Sequence, residues 1–212
     1  MSAAPPALAP LEARVLGVLV EKQHTVPDAY PLTLNALVAG CNQKSSRDPV
    51  MEAADTEVQA ALDRLKSLSL VVESSGGRVM RYAHNVGKAL GIPPQSVALL
   101  AALFLRGPQT AGELRINSER LHRFGDILAV EAFLRELAER SLARELARAA
   151  GMRETRWTHL LSGEPAAAAP PGDAPPAGEA AALRSEIDEL RRELAELRGI
   201  VEALRAQRGE GG

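Results

Sequence analysis

Cys41 is the chain's only cysteine, and Lys44, Ser45, Ser46 and Arg47 follow it closely. A thiol beside an ammonium, two hydroxyls and a guanidinium could work as a nucleophile or as an anion cradle. Nucleophilic use needs a base, and no His or Asp stands at a recognised family spacing from Cys41. The residues before it are apolar and read as a helix, and free cysteine is among the most buried residue types. Cys41 therefore reads as packing. His24, His84, His122 and His159 occur singly, without an HxxxH or Cys/His pairing, so no zinc ligand set is visible. Gly76-Gly77 is a turn and Gly107-Pro108 a helix stop, and neither belongs to a GxGxxG or GxxxxGK[ST] pattern. No pair of carboxylates lies in apolar surroundings where it could share acid–base work. The reading is a protein that is not an enzyme, with no cofactor and no metal.

The basic residues fall into groups. Lys44 and Arg47 share a polar turn with Asn42, Gln43, Ser45 and Ser46. Arg78 and Arg81 follow a Gly-Gly turn, Arg115, Arg120 and Arg123 form a third cluster, and Arg153 and Arg156 a fourth. Cations so grouped could grip phosphates and set the orientation of a duplex. Whether they can act together depends on the elements that carry them.

Those elements come in two similar sets. The run VQAALDRLKSLSLVVE (58–73) aligns without gaps on VEAFLRELAERSLARE (130–145). Upstream, VLGVLVEK (15–22) parallels LLAALFLR (99–106), and TLNAL (33–37) parallels TAGEL (110–114). Three blocks in the same order are the signature of an internal repeat. In the first set Leu11, Val15, Leu16, Val18 and Leu19 give a first helix. Pro31, allowed in a first helical turn, opens a second through Leu34, Leu37 and Val38. A third, capped by Thr56 and Gln59, buries Val58, Ala61, Leu62 and Leu65. LVVESSGGRVMRYAH then reads as a hairpin. In the second set the helices are roughly 95–106, 110–116 and 127–140, and the hairpin joins 142–147 to 153–160.

Three helices and a hairpin make a winged helix. The expected fold is mainly α with small β wings (α+β): two tandem winged helix-turn-helix domains and a C-terminal coiled-coil helix. The domains span 11–90 and 91–161, between a disordered start (1–10) and a Pro/Ala/Gly linker (162–178). Residues 179–208 form the coiled-coil helix and 209–212 a disordered end. The four basic groups then fall on the turns before the third helices and on the wings, the footprint a winged helix lays on DNA.

The runs LEARVLGVLVEKQHTVPDAYPLTLNALVAGCNQKSSRDPVM and RGPQTAGELRINSERLHRF carry a resemblance to the YceH-like family of uncharacterised bacterial proteins. It covers residues 11 to about 160. The resemblance implies a pair of winged-helix domains, often with a helical C-terminal extension, and implies no particular activity.

Composition sets limits on all of this. Of 212 residues, 46% are apolar, 25% charged and only 3% aromatic, so stacking platforms for single-stranded nucleic acid are scarce. Residues 1–160 hold 19 Lys+Arg and 17 Asp+Glu, and residues 161–212 hold 6 and 10. DNA binding would have to come from local clusters rather than bulk charge. The N-terminus lacks a signal-peptide pattern and no run of about 18 apolar residues occurs, so a cytoplasmic protein with no membrane partner is expected.

In the tail, Leu183, Ile187, Leu190, Leu194, Leu197, Val201 and Leu204 alternate at spacings of four and three. With Ile187, Leu194 and Val201 at a, every d is leucine, and Glu186 and Glu193 at g face Arg191 and Arg198 at e. That is the pattern of a parallel two-stranded coil, which predicts a homodimer.

Two functions remain open. The first is a dimeric, regulator-like protein that contacts double-stranded DNA through Lys44, Arg47, Arg78 and Arg81 in one domain and Arg115, Arg120 and Arg123 in the other. The second is an adaptor that binds another protein, like the tandem winged-helix accessory subunits of bacterial chromosome-condensing complexes. The near-neutral charge and the carboxylates on the third helices (Glu57, Asp63 and Glu131) favour the second. The lack of a visible apolar stripe on the third helices, beyond what a core needs, favours the first.

Overall fold

The two most apolar runs of the chain become its two central helices. A computed structural model describes residues 6–75, 79–148 and 154–163. In order, these form α1 (Pro10–Thr25), a 3-10 turn (Pro27–Ala29), α2 (Leu34–Cys41), α3 (Asp55–Ser67), β1 (Val71–Ser74) and β2 (Arg81–His84). Then follow α4 (Val86–Leu90), α5 (Pro94–Arg106), α6 (Ala111–Asn117), α7 (Ile127–Glu139), β3 (Ala143–Leu146) and β4 (Arg156–His159). The architecture is mixed: helices with two small antiparallel hairpins, α+β in class. The coiled-coil positions Leu183 to Leu204, most of the linker and Arg78 lie outside the described residues.

Helices α1 and α5 are buried almost all round, from Glu12 to Val20 and from Ser96 to Leu105. A helix apolar on every side has to sit inside. Each packs on its own half and on the other. Gly17 lets them meet closely, since a Cβ there would stand 2.9 Å from Leu105 Cγ. The buried residues of both halves therefore form one continuous core, with Leu16, Leu19, Leu37, Leu62 and Leu65 from one half and Leu99, Leu100, Leu103, Leu114 and Leu134 from the other.

The repeat holds in detail. Hairpin β1/β2 pairs Val71 with His84, and β3/β4 pairs Ala143 with His159. Each hairpin is joined to the segment before the second helix by a single antiparallel bridge, Leu32–Tyr82 in one half and Gln109–Trp157 in the other. Ser69 and Ser141 both adopt left-handed φ, 58° and 56°, at the turn from helix to strand. Thr33 and Thr110 cap α2 and α6 by accepting from Ala36 and Glu113 N–H.

Three local expectations are corrected. Pro31 precedes α2 rather than opening it, because Thr33 is the better cap. Helix α3 starts at Asp55, and Glu57, not Gln59, reaches back to accept from the Ala54 amide at 2.8 Å. Gln59 instead bonds Asp63 and the Tyr82 hydroxyl. The short helix α4 was not foreseen, since five residues are too few to show a period. Among the described residues no helix is long and apolar enough to cross a membrane.

Candidate functional site

The turn after α2 is held from inside. Arg47 is 6% exposed, and its guanidinium donates to both Glu21 oxygens, at 3.1 and 2.6 Å, and to the Gly40 and Ser46 carbonyls. Arg14, wholly buried in α1, donates to the carbonyls of Cys41 and Pro49. Asn42 closes the loop on itself, with its amide paired to Ala53 N–H and C=O at 2.8 and 2.9 Å. The Asp48 amide donates to the Leu105 carbonyl at 2.8 Å and so ties the loop to the end of α5.

Burial alone would raise the Glu21 carboxyl. The hydrogen bonds and charge of Arg47, with Lys22 beside it, outweigh burial and hold it below the usual range. Arg14 is shifted down by desolvation and then by the nearby Arg47 charge. The expectation that Arg47 grips a phosphate is thus corrected, because its donors are spent on its own backbone and on Glu21. Lys44 alone of that pair faces solvent. Arg14 and Glu21, which the sequence reading passed over, matter more to this turn than Lys44 does. The available signal was an arginine and a glutamate on a helix that is otherwise apolar.

The hairpin cations are also partly committed. Arg81 is exposed but donates to the carbonyls of Ala29 and Pro31. Arg156 occupies the same place in the second half, donating to Pro108 and pairing with Glu113 at 3.2 Å. Both fasten the hairpin to the segment before the second helix.

The turn before α7 is different. Arg120 and Arg123 are exposed there, and Arg115, expected in the same turn, is exposed on α6 with a 3.4 Å bond to the Gly125 carbonyl. Arg115 and Arg123 line a small hollow with Ile116, Glu119 and Phe124. Of the expected cations, Arg115 and Arg123 are the pair that shares one hollow, while Arg120 lines another.

Beside this turn lies an apolar surface that the sequence reading did not see. Ile116 is 71% exposed on α6, and Ile127 and Leu128 are 46% and 71% exposed at the start of α7. In the run Ile127-Leu128-Ala129-Val130 only Val130 is fully buried, and pattern alone cannot tell which member of such a run faces the core. Ile127 also borders a groove of about 590 Å³ between α7 and the second hairpin, lined by Gly112, Glu131, Arg135, Glu145 and Trp157. At the equivalent start of α3 the residues are Asp55, Thr56 and Glu57, all exposed.

Cys41 is fully buried, and desolvation pushes its thiol up to about 12, against the pull of Arg14 and Arg47. It is a packing residue whose burial favours the thiol over the thiolate. His84 and His159, at matching ends of the two hairpins, are pulled down to about 4 by burial, with His24 adding to the effect on His84. Among the described residues no His/Cys/Asp/Glu group is arranged to hold a metal.

A family model described as "Protein of unknown function, DUF480" matches residues 8–152. The chain is 58% identical over 212 residues to a UPF0502 protein of Cupriavidus taiwanensis, covering 95% of this chain and 87% of the relative. It is 58% identical over 212 residues to a UPF0502 protein of Leptothrix cholodnii, covering 95% and 96%. A UPF0502 protein of Burkholderia pseudomallei is 56% identical over 209 residues, covering 95% and 89%.

Proposed function

The chain belongs to the DUF480 family of bacterial proteins, whose relatives carry the name UPF0502, and from that premise we propose a pair of winged helices that binds another protein through the α6–α7 face. The winged-helix reading, and with it the YceH-like label, is supported by two sets of three helices and a hairpin, each hairpin bridged by the segment before the second helix. The observation that carries the function is the apolar start of α7. A helix that reads bases presents Arg, Asn or Gln at its first turn. Here Ile127 and Leu128 stand there, exposed, and Ile116 is exposed on α6, the helix packed against α7. Exposed apolar groups with a polar and charged rim are the anatomy of a protein interface.

The test is a photo-crosslinking residue placed at Leu128 in living cells, with Thr56, its counterpart on α3, as control. A discrete protein adduct from position 128 and none from 56 is expected. Equal labelling from both positions, or none from either, removes the reading.

Duplex DNA is the second reading, supported by the exposed Arg115, Arg120 and Arg123 with Lys44. Fluorescence anisotropy against a generic duplex at two salt concentrations separates the two. Three phosphate contacts require a log–log salt slope of about −2.7, lost in an Arg120→Ala/Arg123→Ala variant. The heptads of residues 183–204 support a parallel dimer that would present two such faces, and light scattering of the full chain reads its mass.

A further inference from the structure

The seam between the halves holds an open pocket of about 140 Å³ between α1, the 42–54 loop, α5 and the α6–α7 turn. Its floor is Ala102, Leu105 and Leu121, and its charged lining is Glu21, Lys22, Arg106 and Arg120. The single carboxylate is already matched, because Arg47 holds both Glu21 oxygens from the buried side. Lys22 also stands 3.3 Å from Glu21. That leaves Arg106 and Arg120 without a counter-ion. Neither has an ion pair or side-chain hydrogen bond among the described residues, and Arg106 is half-buried.

Cations grouped around one pocket repel one another unless an anion joins them. The hydroxyl of Ser46, on the same wall, adds a neutral donor. Lys22 and Arg106 also occupy equivalent positions of the repeat, at the ends of α1 and α5. The packing of those two helices brings both residues to one cavity. A neighbouring hollow shares Ser46, Arg106 and Asn117 but adds Asp48 and Glu113, which favours the first cavity for an anion.

We propose that this seam cavity binds a small organic anion, a carboxylate or phosphate on a short apolar body. The head group would meet Arg106, Arg120 and Lys22, and the body would rest on Leu105 and Leu121. The volume suits a body of about one benzene ring, which fills a cavity of about 150 Å³. Because the walls come from both halves, occupancy would couple the 42–54 loop to the turn that carries Arg120.

Isothermal titration of the full chain with benzoate, and separately with inorganic phosphate, tests this against a chloride blank at equal ionic strength. Saturable one-to-one binding of benzoate is expected. Arg106→Gln and Arg120→Gln should each weaken it at least about tenfold, the loss of one charge-assisted hydrogen bond. Arg123→Gln, exposed and outside the cavity, should leave it unchanged. Phosphate binding without benzoate binding would overturn the apolar-body part and leave an inorganic anion site. Absence of saturable binding by both probes overturns the proposal, as does an equal loss in Arg123→Gln.

Discussion

Six residues past Cys41 stands Arg47, buried against Glu21. Six residues past Ser118, the counterpart of Cys41, stands Phe124, 5% exposed and packed on His122 and Phe133. In the repeat alignment Glu21 corresponds to Leu105, which is itself buried. One half thus holds its helix-to-helix turn with a buried ion pair, and the other with apolar side chains. The first solution consumes charge to fix a longer loop, 42–54, whose carbonyls need donors from inside. The second leaves its arginines outside. The same fold therefore yields one turn whose cations are structural and one whose cations are available.

The largest effect should come from splitting the pair. Arg47→Phe or Glu21→Leu alone strands a buried charge and should cost about 3–5 kcal/mol. The double variant Arg47→Phe/Glu21→Leu copies the second half and should cost less than either single change, because both charges leave together. Urea unfolding of the three variants gives the coupling directly. Strict additivity would mean that the two halves do not solve the same problem, and the comparison would break.

Next in size is a feature the halves share. His84 and His159 titrate near 4 when folded and near 6.5 when unfolded. Below pH 6.5 the unfolded chain binds protons that the folded chain refuses. Stability is therefore complete above about pH 6.5 and falls as pH drops towards 4, by at most about 3 kcal/mol for each histidine. Replacing both with Gln should flatten the loss over that window, while carboxylate titration at lower pH remains. If only one histidine contributes, the hairpins are less alike than their register suggests.

How much of this was legible beforehand follows from the same residues. Matching apolar positions, Val58 with Val130 and Leu62 with Leu134, are enough to reveal two sets of helices, because each must bury one face. The first hairpin showed through Gly76-Gly77 and the β-branched Val71 and Val72, and the second through its place in the repeat. What stayed hidden depended on direction. Arg47 and Arg120 look alike in sequence, since nothing local says that Glu21, on another helix, waits for one of them. Cys41 was legible as core because the residues before it are apolar and form a helix that ends on it. Leu128 was not legible as surface, because an apolar run at a helix start satisfies a core pattern whether or not the core reaches it.

The smallest effect on stability carries the most about function. Ile127→Asp/Leu128→Thr makes the start of α7 read like Asp55-Thr56 at the start of α3. Both side chains are substantially exposed, so little burial is lost, and a carboxylate in the first helical turn is favourable by about 0.3–1 kcal/mol. Thermal unfolding should therefore stay within about 0.5 kcal/mol of the parent, or rise slightly. A core element cannot tolerate such a change, so an unchanged melting curve would mark Ile127 and Leu128 as surface held for a partner. Loss of the protein adduct from a crosslinker at Ile116 in the same variant would then tie that surface to binding. A loss of stability comparable to that of Arg47→Phe would instead place these side chains in the fold's own packing, and the two halves would differ in how they fold rather than in what they present.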